Sequence, residues 1–399
     1  MNFIRGFVRY MPSDFEAEIV GIAVGEDHSG SGWREITLAG RGVRFLPVAR
    51  MPQARRSGRL PTKARIVAGM LRHRARIATA GRVAQIHAPA MDLSLLGRQV
   101  PTVRVVHNAP RDLATNRGES AWRRFAVGLY LAERLTFRRS SLVYFVNQKT
   151  YDEYAEAMTA SASSMRYLPN FVDTSSFLPR FGEERSALRK ELGNVVGVDP
   201  GAPWLLFAGR LDPQKDPLLA LRSFVAAIQS DPTSQARLLI AGDGTLRVVS
   251  ERAVTEAGIV DRVAFTGTLP QETLAKLMSV ADAFLLTSSF EAGPTVAYEA
   301  LASGLPVVST AVGEVPRLVR HGETGWLVGS ADPAQLGAGI LWALSRDRAV
   351  AAEACARSMA PYHLETVLKA FYDEHRRLAL GELEAMYDGD RPDRSTESP

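Results

Sequence analysis

With 399 residues, 46% of them hydrophobic, the chain can bury two cores, so two domains are expected. No apolar run approaches the roughly 20 residues of a membrane span, and the opening MNFIRGFVRY lacks the charged-then-apolar plan of a signal peptide. A single cysteine, Cys355, excludes an intrachain disulfide framework, and the expected location is the cytoplasm. Charge is unevenly spread: residues 1–170 carry 26 Lys+Arg against 13 Asp+Glu, and the remainder carries 22 against 30, within a net charge of +5. Between Glu35 and Asp92 there is no acidic residue, while Arg41, Arg55, Arg56, Arg59, Arg72 and Arg82 all fall there. One reading is a solvated face; the sharper one is a surface for anionic lipid head groups or an acidic acceptor. Nucleic acid is not expected, because no binding motif accompanies the charge.

In chain order, Phe3, Ile4, Phe7, Val8 and Met11 recur at helical spacing and predict an amphipathic first helix, broken at Ser13 and Asp14. Ala17 to Val24 reads as a strand, and Val43 to Leu46 as another that Pro47 ends. A helix is expected over Thr62–Ala80. Val83–His87 and Thr102–His107 are short apolar strands, each ending on a histidine, where residues line the ligand crevice of open parallel sheets. His107 is the stronger candidate, since Asn108, Arg111 and a polar loop follow it; a hydrogen-bonded core histidine is the alternative. A helix over Ala121–Arg138, a strand over Leu142–Val146 and a helix over Thr150–Met158 precede YLPNFVDTSSF, whose Pro169, Asn170 and Asp173 signal turns.

The second half repeats strand, glycine loop and helix. Trp204–Ala208 precedes Gly209, Arg210 and Lys215. Leu238–Ala241 precedes Gly242, and Val263–Thr266 precedes Gly267. Ala283–Thr287, Pro306–Ser309 and Gly325–Val328 complete the series, an alternation that implies a parallel sheet.

Within it, SSFEAGPTVAYEALASGLP, Ser288 to Pro306, has the richest chemistry. Glu291 sits in the loop after a strand, Gly293, Pro294 and Thr295 open a helix, and Glu299 is expected about two turns down it. A helix N-terminus offers backbone N–H groups and partial positive charge to a phosphate, and a carboxylate further in can accept from the vicinal hydroxyls of a ribose. A nucleotide-diphosphate site follows.

The run LLFAGRLDPQKD, then LLIAGDGTL, VAFTGTL and ADAFLLTSSFEAGPTVAYEALASGLPVVSTAVGEVPRLVRHGETGWLV, resembles the retaining glycosyltransferases of family 4, the group 1 glycosyl transferases. The resemblance implies the α/β GT-B fold: two Rossmann-like doubly wound domains facing across a cleft, here residues 1–178 on the acceptor side and 179–361 on the donor side. A helix over 362–385 would return to the first domain, and a disordered tail would occupy 386–399. The implied activity moves a hexose-type sugar from a UDP- or GDP-linked donor to a glycan or lipid-linked acceptor in polysaccharide or glycoconjugate synthesis, by a protein resting peripherally on the inner face of the membrane.

By the same resemblance, Arg210 and Lys215 hold the donor diphosphate beside Gly209 and Gly242, and Glu299 takes the ribose hydroxyls. Glu291, with the backbone of Ala292, Gly293, Pro294, Thr295 and Val296, faces sugar and phosphate. Thr266, Gly267 and Leu269 contact the nucleobase, and His107 orients the sugar. No metal is required: the only Asp-x-Asp, Asp388 and Asp390, falls in the polar tail. The alternatives are a non-catalytic sugar-nucleotide or glycan-binding relative and a nucleotide-sugar epimerase. Two departures are visible. Phe171 stands where the resemblance expects glycine, and Asn2–Met11 resembles the helix that follows a first strand and Gly-Gly turn. About 20 residues ahead of it are therefore expected to be missing, through a misplaced start codon or in a degenerate paralogue.

Overall fold

The computed structural model describes residues 2–24, 32–51, 62–77, 82–87, 100–107 and 126–382. The chain divides into two compact units, 1–169 with 367–399, and 170–366.

The first unit opens with helix α1 (Asn2–Arg9), followed by strands β1 (Glu18–Val24), β2 (Arg34–Leu38) and β3 (Arg41–Met51) in a three-stranded sheet of order β1-β3-β2. β2 was not legible as a strand. It pairs antiparallel with β3 through a two-residue turn, Ala39–Gly40, in which both residues have positive φ (52° and 81°). Such primed turns match the twist of the flanking strands, but an alanine in that position carries no turn signal. Nor does Pro47 end β3. Beyond Phe45 the strand no longer pairs with β2, and the register against β1 shifts by one residue just after Gly21↔Pro47. A residue without an N–H is tolerated at such an irregularity.

Helices α2 (Thr62–Arg72) and α3 (Arg74–Ile77) replace the single helix expected over that region. A second sheet follows, of parallel strands in the order β4 (Ala84–Ile86), β5 (Thr102–Val106), β6 (Leu142–Phe145) and β7 (Met165–Tyr167), with helices α4 (Ala126–Phe137) and α5 (Gln148–Ala157) between strands. β1 and β4 are edge strands of their respective sheets, and Arg82, just before β4, pairs with Glu18 of β1. The core of the β4–β7 sheet joins Val106, Phe137, Val143, Phe145, Tyr154, Met158 and Met165.

The second unit holds helix α6 (Gly182–Val196), then β8 (Trp204–Ala208), α7 (Pro217–Ser230), β9 (Arg237–Ala241), α8 (Arg247–Glu256), β10 (Val263–Gly267), α9 (Gln271–Val280) and β11 (Ala283–Leu286). Helix α10 (Thr295–Ala302), β12 (Val307–Thr310), α11 (Val315–Leu318), β13 (Gly325–Val328), α12 (Pro333–Leu344) and α13 (Arg348–Ser358) complete it. All six strands are parallel, in the order β10-β9-β8-β11-β12-β13. Both faces of the sheet are covered. Trp204, Leu206 and Ala208 of β8 enter one core while Leu205 and Phe207 enter the other, as the two-residue period of a strand requires. Chain order runs outward from β8 through β9 to β10 and then returns to the other side of β8 at β11, a switch point with an open crevice at the strands' carboxyl ends.

The boundary falls after Pro169 rather than after residue 178. Val172 N–H donates to Tyr362 O (3.0 Å), Leu364 N–H donates to Val172 O (3.1 Å), and Val172 and Phe177 are buried in the second unit's core. The last helix, α14, spans Leu364–Ala379, shorter than expected, and counts with the first unit from Val367 onward. There Phe371 packs against Phe3, Phe7 and Tyr144, and Glu374 accepts from Tyr144 and Arg166. The expected tail lies outside the described residues, as do Arg55, Arg56, Arg59, Asn108, Arg111, Asp388 and Asp390.

Candidate active site

The switch point between β8 and β11 opens into a cavity of about 380 Å³ within the second unit. Its walls come from the loops after β8, β9, β10 and β11, from α9 and from the first five residues of α10. Of the candidates read from sequence, Gly209, Arg210, Lys215, Gly242, Leu269, Glu291, Gly293, Pro294, Thr295, Val296 and Glu299 all line it. Thr266, Gly267 and Ala292 lie beside the cavity but not in its wall, where Thr268, Asp243 and Leu274 stand instead. Those three, and the strand-end Ala208 and Ala241 that also line the cavity, were missed. The sequence signals of Thr268, Asp243 and Leu274 are a hydroxyl one residue past the strand's glycine, an acid between Gly242 and Gly244, and an apolar helix position, none distinctive alone.

The backbone of these loops is fixed by its own hydrogen bonds. Gly209 N–H donates to Ala241 O (2.9 Å), Gly242 N–H to Gly267 O (2.8 Å), and Leu211 N–H to Asp243 O (3.0 Å). Gly242, at φ 146°, lies so close to Gly209 that a Cβ there would run into the Gly209 carbonyl. The Thr287 hydroxyl at the end of β11 donates to the carbonyls of Lys215 (3.0 Å) and Asp216 (2.9 Å), so the first wall is tied to the second. Gln214 adds to this, its side-chain amide donating to Phe290 O (3.0 Å) and its carbonyl accepting from Ser289 N–H (2.8 Å).

The 290–294 loop is clamped from three further directions. The buried Asn170 side chain donates to Gly293 O (2.7 Å), Glu314 N–H donates to Ala292 O (3.1 Å), and Gly313, at φ 52°, packs beneath the Glu291 and Ala292 carbonyls with no room for a side chain. Backbone held this firmly is pre-organised for a ligand.

Charge converges on the cavity. Lys215 Nζ pairs with Glu291 Oε1, which also accepts from Ser288 Oγ (2.8 Å). Both partners are largely buried, so the pair is a low-dielectric contact. Arg210, by contrast, is 73% exposed and reaches Asp212 (3.0 Å), leaving its guanidinium near the mouth. Glu299 is the fifth residue of α10, a little over one turn in rather than two. It is buried, and desolvation pushes its carboxyl up to about 7, against the opposing pull of Lys215. The cavity thus joins a helix N-terminus, two cations (Arg210 and Lys215) and three carboxylates (Asp243, Glu291 and Glu299), groups that can receive a diphosphate and an adjoining diol.

His107 belongs to the first unit and has a different setting. It follows β5 as His87 follows β4, and the two rings stack at 5.2 Å with His87 Nδ1 and His107 Nε2 2.9 Å apart. Phe3 of α1 packs against both, at 5.3 and 5.5 Å between centroids, and Gln85 Nε2 lies 2.6 Å from His87 Nε2. Burial lowers His107 to about 4 and, with help from the neighbouring His107 ring, His87 to about 3. Both are therefore neutral at physiological pH.

Comparison with known proteins gives consistent findings. Residues 189–357 match the family model described as "Glycosyl transferases group 1". Over 174 residues the chain is 36% identical to a D-inositol 3-phosphate glycosyltransferase of Thermomonospora curvata, a match that covers 42% of this chain and 40% of that relative's length. Among solved structures, sucrose-phosphate synthase of Thermosynechococcus elongatus superposes with a TM-score of 0.71 at 21% identity, covering 91% of this chain and 89% of that one. An Anabaena protein solved with UDP and glucose superposes at 0.61 with 20% identity, covering 82% and 86%. The fold is α/β of the GT-B class.

Proposed function

We propose that this protein is a glycosyltransferase that moves a hexose-type sugar from a nucleotide-diphosphate donor to a glycan or lipid-linked acceptor, with retention at the anomeric carbon. The observation that carries the reading is the switch-point cavity, where Lys215 and the α10 N-terminus meet the buried Glu299. Two further observations support it: the group 1 match covers this unit, and the matched relative bears a glycosyltransferase name. The Anabaena neighbour's UDP and glucose favour a uridine donor as the first to test, ahead of a guanosine one.

In this reading the donor diphosphate takes Lys215 from Glu291 and draws in Arg210, while Glu299 accepts from the ribose hydroxyls. Glu291, released from Lys215, turns to the sugar hydroxyls. The acceptor oxygen attacks the anomeric carbon on the face the diphosphate leaves. As the carbon–oxygen bond to phosphate breaks, the diphosphate departs with the electron pair and takes the acceptor's proton. Arg210 and Lys215 offset the charge that builds on it, so catalysis is positioning plus electrostatics. Thr268 and Leu269 are the proposed nucleobase wall, and the units 1–169 and 170–366 are the proposed acceptor and donor sides.

One observation favours a non-catalytic, nucleotide-sugar-binding relative instead: His107 is packed against His87 and Phe3. Among the described residues no helix is long and apolar enough to cross a membrane, and the proposed location is the cytoplasm with peripheral membrane contact. The test is nucleotide release from a panel of UDP-, GDP- and ADP-sugars, with and without acceptor lipid extract. Acceptor-dependent release supports the transferase, binding without release supports the non-catalytic relative, and no binding of any donor overturns both.

A further inference from the structure

Three imidazoles of the first unit have their tautomers set by the groups that face them. Gln85, on β4, stands 2.6 Å from His87 with its amide Nε2 against the ring's Nε2, and an amide nitrogen only donates. His87 Nε2 is therefore the accepting nitrogen of a neutral ring, and the ring's proton sits on Nδ1. That Nδ1 lies 2.9 Å from His107 Nε2, which accepts in its turn, so the His107 proton also sits on Nδ1. Neutral rings are what burial dictates here, since it lowers His87 to about 3 and His107 to about 4. The two rings lie 20° from parallel, and the Phe3 ring packs against both. His375, on α14, is set independently: its Nδ1 is 2.7 Å from Phe371 O, a carbonyl that only accepts, so it too carries its proton on Nδ1.

We infer that Gln85 and His87 are positioning residues that hold His107 as a neutral Nδ1–H donor for an oxygen of the sugar substrate. An isolated imidazole exchanges its proton between two nitrogens. A relay of one-way donors removes that choice, so His107 offers one donor in one place with no reorganisation when the ligand arrives. The chemistry of this donor also limits what it serves. A neutral ring gives no countercharge to a phosphate, and His107 Nε2, occupied by the His87 proton, takes none from an attacking hydroxyl. What remains is donation to an oxygen lone pair, which a sugar hydroxyl supplies, and His107 keeps the partial exposure that such a contact needs. The use of the relay on a sugar rests on the transferase reading proposed above; the tautomer itself does not.

The test is long-range ¹H–¹⁵N correlation spectroscopy of the full chain labelled at its histidines, near pH 7, with His107 and His375 assigned from the His107→Asn and His375→Asn spectra. Wild type is expected to show His107 protonated on Nδ1 alone. Gln85→Leu removes the donor that starts the relay, and His107 is then expected to exchange between both tautomers while His375 stays on Nδ1 as the mark of an intact fold. His87→Phe, which keeps a ring beside Phe3, is expected to release His107 in the same way and decides the matter where Gln85→Leu disturbs the His375 signal. Wild-type His107 protonated on Nε2, or a His107 signal that neither variant alters, overturns the relay. With a sugar nucleotide that wild type turns over, Gln85→Leu is expected to lower kcat roughly tenfold while affinity for the nucleoside diphosphate is unchanged. A released tautomer with unaltered kcat overturns the positioning role. Wild type that binds no nucleotide but holds His107 on Nδ1 alone counts against the transferase reading and supports the relay, so the two failures are distinguishable.

Discussion

The carboxyl ends of the parallel strands carry opposite chemistry in the two units. In the second, the loops after β8 and β11 bring Lys215, Glu291 and Glu299 to one cavity, and the buried carboxyl of Glu299 sits near neutrality, at about 7, with Lys215 restraining it. In the first, the ends of β4 and β5 present two half-buried histidines at about 3 and 4, packed on each other and on Phe3. Burial alone drives any group toward its neutral form, so a buried group remains usable near pH 7 only where an opposite charge stands close enough to oppose desolvation. Glu299 has such a charge; for His87, the neighbouring His107 deepens the shift.

Removing that opposite charge is the largest expected perturbation. Lys215→Ala leaves Glu291 without its cation and removes the proposed diphosphate ligand, and nucleotide affinity should fall about 100-fold or more. Titration calorimetry with a nucleoside diphosphate checks this; a loss below about threefold would mean that Lys215 serves only the ion pair.

The two units should also answer acid in opposite senses. His87, His107 and His375 fold with values below the usual 6.5, His375 through burial at about 4. At these three rings the unfolded chain therefore binds more protons than the folded one below pH 6.5. The stability these neutral rings contribute is present above that pH and is lost as pH falls toward 4, by about 3 kcal/mol for a shift of the size seen at His107. Glu299 is raised, so the folded chain binds the extra proton: its penalty is absent below about 4.5, grows as pH rises to about 7 and is constant beyond. Chemical denaturation monitored separately in each unit between pH 4 and 8 should show the first weakening and the second strengthening toward acid. Glu299→Gln should flatten the second profile, and an unaltered slope would break the contrast.

The smallest effect is expected at Asn170. Asn170→Ala frees the Gly293 carbonyl from its clamp without touching a charge, which should cost about 1 kcal/mol, read as a fewfold rise in KM with kcat little changed. A loss as large as that of Lys215→Ala would mean that the clamp, rather than the charge, organises the site.

Much of this contrast was legible in the residues alone. The second unit's strands are short, mostly apolar and several are followed by glycine, so their positions, the cavity loops and Glu291 with Glu299 could be read from spacing and composition. What escaped depends on distant partners. Nothing local to Gly313 says that it packs under the Glu291 carbonyl, nor does Asn170 announce a bond to Gly293. In the first unit the local signals misled: Pro47 reads as a strand end and sits at a register shift, and the Ala39–Gly40 turn hides a hairpin. His107 showed its position at the end of a strand, but its packing depends on His87 and on Phe3, just over a hundred residues earlier.

The most direct measurement is calorimetric titration of UDP into the full chain and into Glu299→Ala at pH 6 and pH 8. Wild type is expected to bind, more tightly at pH 8, where the Glu299 carboxyl is ionised and can accept from the ribose hydroxyls; Glu299→Ala is expected to bind at least roughly tenfold more weakly and to lose the pH dependence. Equal affinity and an equal pH response in the two proteins would contradict the assignment of this cavity to a nucleotide donor.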